Sequence, residues 1–241
     1  MAIGFVLGFV LVFILLQWSA TALGSDRGQA GIVVGLLVVA ATLAVERLFY
    51  GRPLTRVCQT LGLDVPGREG MLSAGGVSLL ILSVIPVYAR VSGASVAFYP
   101  GWDRLLPGLF AQAGIAEEVL FRGYLFGHLR RGRSLWRAAA LATIPFVAVH
   151  LYLFQTMAWP VALAALLLSL ALSFPLAYLF ELGGGTIWAP ALLHFVVQRA
   201  VKVVVVSGGS PTIFPIVWMA ASALLPYLAF LVPRDRREHS I

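Results

Sequence analysis

Three short stretches hold the side chains whose types could do chemistry: Glu117, Glu118 and Arg122 in "GIAEEVLFRG", Phe146 and His150 in "FVAVH", and His194 and Gln198 in "LLHFVVQ". A carboxylate beside an imidazole can deprotonate and position a water, which is general-base catalysis. A second imidazole and an amide aimed at one point can donate to the oxygen of a tetrahedral intermediate. Those are the parts of a peptide hydrolase that needs no covalent nucleophile, and the chain has no G-x-S-x-G elbow. Zinc is the alternative, with Glu117, His150 and His194 as ligands and a water in the fourth position. No H-E-x-x-H lies on one helix, so such ligands would come from three helices.

Spacing refines these roles. Glu118 and Arg122 are four apart, so on a helix they share a face and can pair. Glu117 is turned about 100° away around the axis, so the two acids need not share one role. One can be tied up by the arginine while the other faces a different helix. His194 and Gln198 repeat the four-residue spacing, about 6 Å apart along an axis, as a clamp of two hydrogen-bonding groups. Phe146 and His150 repeat it again, with the ring able to wall off the histidine. Each group also has a plainer reading. Glu118 with Arg122 is equally an ion pair that fixes register, and either histidine alone is an interhelical hydrogen bond.

The elements that must position these groups are membrane helices. Of 241 residues, 60% are hydrophobic and 11% charged, more apolar surface than a soluble domain can hide. Eight apolar segments, near 2–23, 30–50, 71–91, 105–129, 134–155, 158–181, 186–206 and 212–232, have helix-spanning length. They lack the alternation of barrel strands. The expected fold is an all-α polytopic bundle of about eight transmembrane helices. It forms one integral membrane domain over 1–241, with the motifs on helices within 105–206. The loop at 51–70 has room for a short interfacial helix. Polar groups at bilayer depth are expensive, and two acids and two histidines on three helices imply a shared wet pocket.

The net charge of +7 comes from arginines in the breaks between helices, so positive-inside bias accounts for it and nucleic acid does not. Arg47, Arg52, Arg56 and Arg68, then Arg130, Arg131, Arg133 and Arg137, then Arg234, Arg236 and Arg237 fall on one side of such a bundle. That side reads as the cytoplasm, with both termini in it. Arg27 beside Asp26, Arg90, and Arg104 beside Asp103 fall on the other. The lone Cys58 excludes an intrachain disulfide framework. His128 and His239 read as solvated, Arg199 and Lys202 as side chains that snorkel to an interface, and Glu181 as a group at the inner surface.

The three stretches together resemble the CPBP intramembrane proteases, the CAAX protease and Abi family that includes Rce1-type CAAX endopeptidases. "EEVLFRG" is similar to that family's E-E-x-x-x-R motif, "FVAVH" to its F-x-x-x-H, and "HFVVQ" to its H-x-x-x-N, in the same order on separate helices. The resemblance implies a metal-independent glutamic endopeptidase of a bacterial or archaeal plasma membrane. In it Glu117 is the base acting on water with His150, while His194 and residue 198 stabilise the oxyanion. Glu118, Arg122 and Phe146 support them. Gln198 departs from the usual asparagine, keeping the donor amide at one methylene greater reach. The implied substrate is a membrane-anchored or hydrophobic peptide or protein. Two other readings of the same residues are a non-catalytic membrane scaffold and a proton-coupled transporter.

Overall fold

In the computed structural model, residues 2–23, 27–210 and 212–234 are described. Asp26, Arg236, Arg237 and His239 lie outside them, so the basic tail is represented by Arg234. The chain begins with two apolar helices, α1 (Ala2–Ala22) and α2 (Arg27–Tyr50), followed by a short α3 (Leu54–Thr60) in the expected loop position. Next come α4 (Arg68–Ser92) and a strand β1 (Ser95–Phe98). A long helical run then starts as α5 (Trp102–Leu109), widens into π-helical turns over Phe110–Ala116 and Val119–Phe126, and closes as α6 (Gly127–Arg130).

Beyond it lie α7 (Leu135–Ala148), a 3₁₀ turn (Val149–Tyr152), α8 (Leu153–Thr156) and α9 (Trp159–Leu182). The chain ends with α10 (Trp188–Arg199), a 3₁₀ turn (Ala200–Val203), β2 (Val204–Ser207), α11 (Ile213–Leu224) and a 3₁₀ stretch (Leu225–Leu231). The architecture is an all-α polytopic bundle. Six of the described helices are long and apolar enough to cross a membrane, against eight segments read from the sequence. The other two segments are the ones that carry the acids and His194. One changes winding along its length and holds six charged residues from 102 to 130. The other has only twelve residues of α-helix before it tightens.

Residues 204–207, read as the end of a helix, instead form a strand. β2 pairs antiparallel with β1, Ser95 opposite Ser207 and Phe98 opposite Val204. The four valines 203–206 are β-branched, and the partner "SVAF" follows Gly93, whose left-handed φ of 69° ends α4.

α9 is the central span: half of its apolar window is buried, whereas the other five spans bury a third or less. Their outward residues, such as Leu36, Leu79 and Ile144, are exposed apolar surface of the kind lipid covers. Around α9 pack the π-helical run, α7 and α10, joined through Leu120, Phe126, Leu176, Leu179 and Leu193. The basic clusters converge on one end of the bundle. There Glu181 at the end of α9 accepts from Arg130 at 2.8 Å and from Arg234 at 3.1 Å, and Arg52 lies close to Arg131.

Candidate active site

The acids sit where the helical run passes from one π-helical stretch to the next, with Glu117 and Glu118 in the short α-helical link. Widened turns of this kind leave backbone groups imperfectly paired and recur at functional sites. The run is held by close backbone approach on two sides. A Cβ on Gly123 would stand 2.4 Å from the Leu61 carbonyl oxygen, so only glycine admits α3 there. At Gly114 the carbonyl of Ala191 on α10 leaves only 3.1 Å.

α10 is aimed by the turn that precedes it. Gly184 and Gly185 take φ of 75° and 77°, reversing the chain after α9. The Ile187 amide donates to Gly62 at 3.0 Å, and the Gly183 carbonyl accepts from Gly67 at 3.0 Å. The segment after α3 is thereby sewn to the start of α10, which runs between α4 and the π-helical run. His194 projects from it into full burial.

There the histidine meets both acids. Its Nδ1 lies 2.6 Å from Glu118 Oε1, and its Nε2 lies 3.7 Å from Glu117 Oε2. The Glu118 carboxylate also accepts from Arg122 at 3.0 Å, and no part of it is exposed. An ionised carboxylate can only accept, so Nδ1–H is the donor to Glu118 and Nε2 is the nitrogen that faces Glu117. The pairing of Glu118 with Arg122 expected from spacing is present, and the π-helical winding does not break it. Of the two plain readings, the interhelical hydrogen bond holds for His194.

Arg122 rests on Phe146, its guanidinium carbon 4.2 Å from the ring centroid. The same buried ring touches His150 edge-on at 5.2 Å and His194 at 6.2 Å. Phe146 thus contacts both histidines and supports the cation. His150 follows Pro145 in the 3₁₀ turn that ends α7. Its Nδ1 lies 2.7 Å from the Phe146 carbonyl oxygen, an acceptor, so Nδ1–H donates and Nε2 is left with its lone pair. His150 is half-buried and within electrostatic reach of Glu117, His194 and Arg122.

Gln198 lies one turn beyond His194 on the same face of α10, half-buried, with no hydrogen bond from its amide among the described residues. Its neighbour corrects the sequence reading. Arg199 does not simply snorkel to an interface; its guanidinium lies 3.7 Å from Glu117 Oε1. Glu117 therefore has a cation on one side and an imidazole on the other, while 15% of its side chain stays open. The signal was a charged residue directly after the motif, at bilayer depth.

His128 is a second correction. It is packed among Phe5, Tyr50 and Tyr124, with ring centroids at 5.4, 4.7 and 4.8 Å, and its Nε2 bonds to Glu46. Sequence reasoning passed over Glu46, which no water reaches, because its partner is 82 residues away. Glu46 stands in "AVERLF" near the end of α2, with no second acid, histidine or amide at helical spacing to mark it. Among the described residues, no group of three or more His, Cys, Asp or Glu side chains is arranged to hold a metal ion.

Residues 102–199 match the family model described as type II CAAX prenyl endopeptidase Rce1-like. No curated protein matches the chain. The matched stretch contains every one of the seven residues singled out by motif, from Glu117 to Gln198.

Proposed function

We propose that this membrane protein, whose residues 102–199 match the Rce1-like model, is an intramembrane endopeptidase in which Glu117 activates water against a peptide bond. The observation that carries this reading is the division of labour between adjacent acids. Glu118 is buried and held by His194 and Arg122, whereas Glu117 is partly open and faces His194 Nε2 at 3.7 Å. That distance is too long for a direct hydrogen bond, and a water that bonds to both groups would stand beside the carboxylate that takes its proton.

Glu117 takes the proton as the water attacks, and His150, through its free Nε2, relays it toward the leaving amine. His194, fixed by Glu118 through Nδ1, presents Nε2 to the oxyanion when protonated, and the Gln198 amide is the second donor. Arg122 pairs with Glu118 in an apolar interior, and Phe146 seats Arg122. None of these steps calls for a metal, and preparations stripped with a chelator keep their activity if this is right. The substrate is a membrane-anchored or hydrophobic peptide, and the family's own description names prenylated CAAX ends as the first to try.

The test compares protein and peptide termini, by mass spectrometry, in membranes carrying the wild type or Glu117→Gln. Termini found only with the wild type establish proteolysis and begin to name the substrate. Matching profiles from two folded, abundant proteins reject catalysis and leave a scaffold or transporter.

A further inference from the structure

At the basic end of the bundle, Glu46, His128, Arg52 and Arg131 form a network unused by the proposed reaction. Its hydrogen bonds have a fixed direction. Arg131 has only protons to give, so it donates to His128 Nδ1 at 3.2 Å, and His128 Nε2–H then donates to Glu46 Oε1. Arg52 donates to Glu46 Oε2 at 3.3 Å and to Thr60 at 3.2 Å, with its guanidinium 5.5 Å from the Tyr50 ring centroid.

The one carboxylate of the network thus pairs with Arg52 and reaches Arg131 only through His128. Arg131 makes no ion pair with any carboxylate among the described residues, although it is half-buried. Burial, and next the charge of Arg52, hold its pKa below the usual guanidinium value. Two like charges are crowded together with an excess of positive charge and with N–H donors unspent. A doubly or singly charged oxyanion seated across both forks would satisfy them.

The position says which anion. α2 ends at Tyr50, and Leu48 and Phe49, in its last turn, are 79% and 42% exposed. Apolar surface for acyl chains therefore adjoins the cations at the level where a spanning helix leaves the bilayer. We propose that Arg52 and Arg131 form a binding site for a phosphate group, that of an anionic phospholipid headgroup lying against the end of α2. Through His128 such a lipid is tied to the helix that carries Glu117 and Glu118.

The experiment follows thermal unfolding of the full chain in detergent with added phosphatidylglycerol, phosphatidylcholine or inorganic phosphate. Phosphatidylglycerol is expected to raise the Tm of the wild type by a few degrees, as ligand linkage requires, and phosphatidylcholine to leave it unchanged. Arg131→Gln, which strands no carboxylate, loses the response. Arg137→Gln, which removes an exposed arginine at the same end, keeps it. If inorganic phosphate gives the Arg131-dependent rise as fully as the lipid does, the source is a soluble phosphate and the lipid assignment falls. If no added anion shifts the wild type, or Arg131→Gln responds as the wild type does, the site itself is overturned.

Discussion

Two fully buried carboxylates in this molecule each hold a histidine and an arginine. Glu118 has His194 at 2.6 Å and Arg122 at 3.0 Å; Glu46 has His128 and, at 3.3 Å, Arg52. The trios differ at the far nitrogen of the imidazole. His128 Nδ1 is taken by Arg131, so its lone pair is spent, whereas His194 Nε2 faces the partly open Glu117. Identical parts make a closed brace in one place and, on the proposed function, a reactive arrangement in the other. What stands opposite the free nitrogen decides between them, because a group already bonded has nothing to offer a water.

Glu117→Gln breaks the comparison most sharply. Turnover is expected to fall by about 10²- to 10⁴-fold, the span of general-base contributions, with Tm nearly unchanged, because only the partly open acid is altered. Glu46→Gln should do the reverse, lowering Tm while cleavage stays close to that of the wild type. Equal losses of turnover in both would erase the distinction.

Within the Glu118 trio, Arg122→Ala strands the buried carboxylate. A loss of about 3–5 kcal/mol is expected, read as a lowered denaturation midpoint and a poor yield. Unchanged stability would mean that the pair is incidental. His128→Gln is milder. It leaves Glu46 with Arg52 but unsatisfies one carboxylate oxygen, for about 1–3 kcal/mol, and turnover persists. A dead His128→Gln enzyme of normal stability would make the brace part of the chemistry. Gln198→Asn has the smallest expected effect, a change in kcat within about tenfold, since the amide is kept and only its reach shortens by a methylene. Equal or faster turnover supports the oxyanion role, and outright loss shows that the longer reach is needed.

How much could be read in advance differs between the two trios. Glu118 and Arg122 lie one turn apart on one helix, so local spacing announced them. His194 announced itself as a histidine in an apolar span, but that its Nδ1 seeks Glu118 and its Nε2 Glu117 depended on how α10 crosses the π-helical run. Arg199 was misplaced because snorkelling is the default for a cation near a helix end, and a carboxylate on another helix overrode it. Glu46 and His128 were illegible together, being on different helices and far apart in the chain. The strand β2 was absorbed into a helix because "VVVV" in an apolar context has no period to separate the two.

The sequence by itself determined that the chain is a bundle of membrane helices and which seven residues share a motif. Hydrophobic length and i, i+4 spacing are local quantities that the chain carries wherever it goes. Only the tertiary structure decided which acid is buried and which is open, what each imidazole nitrogen faces, and that a second acid–histidine pair exists. Those outcomes depend on glycine-mediated approaches such as Gly123 to Leu61 and Gly114 to Ala191, which set one helix against another within tenths of an ångström.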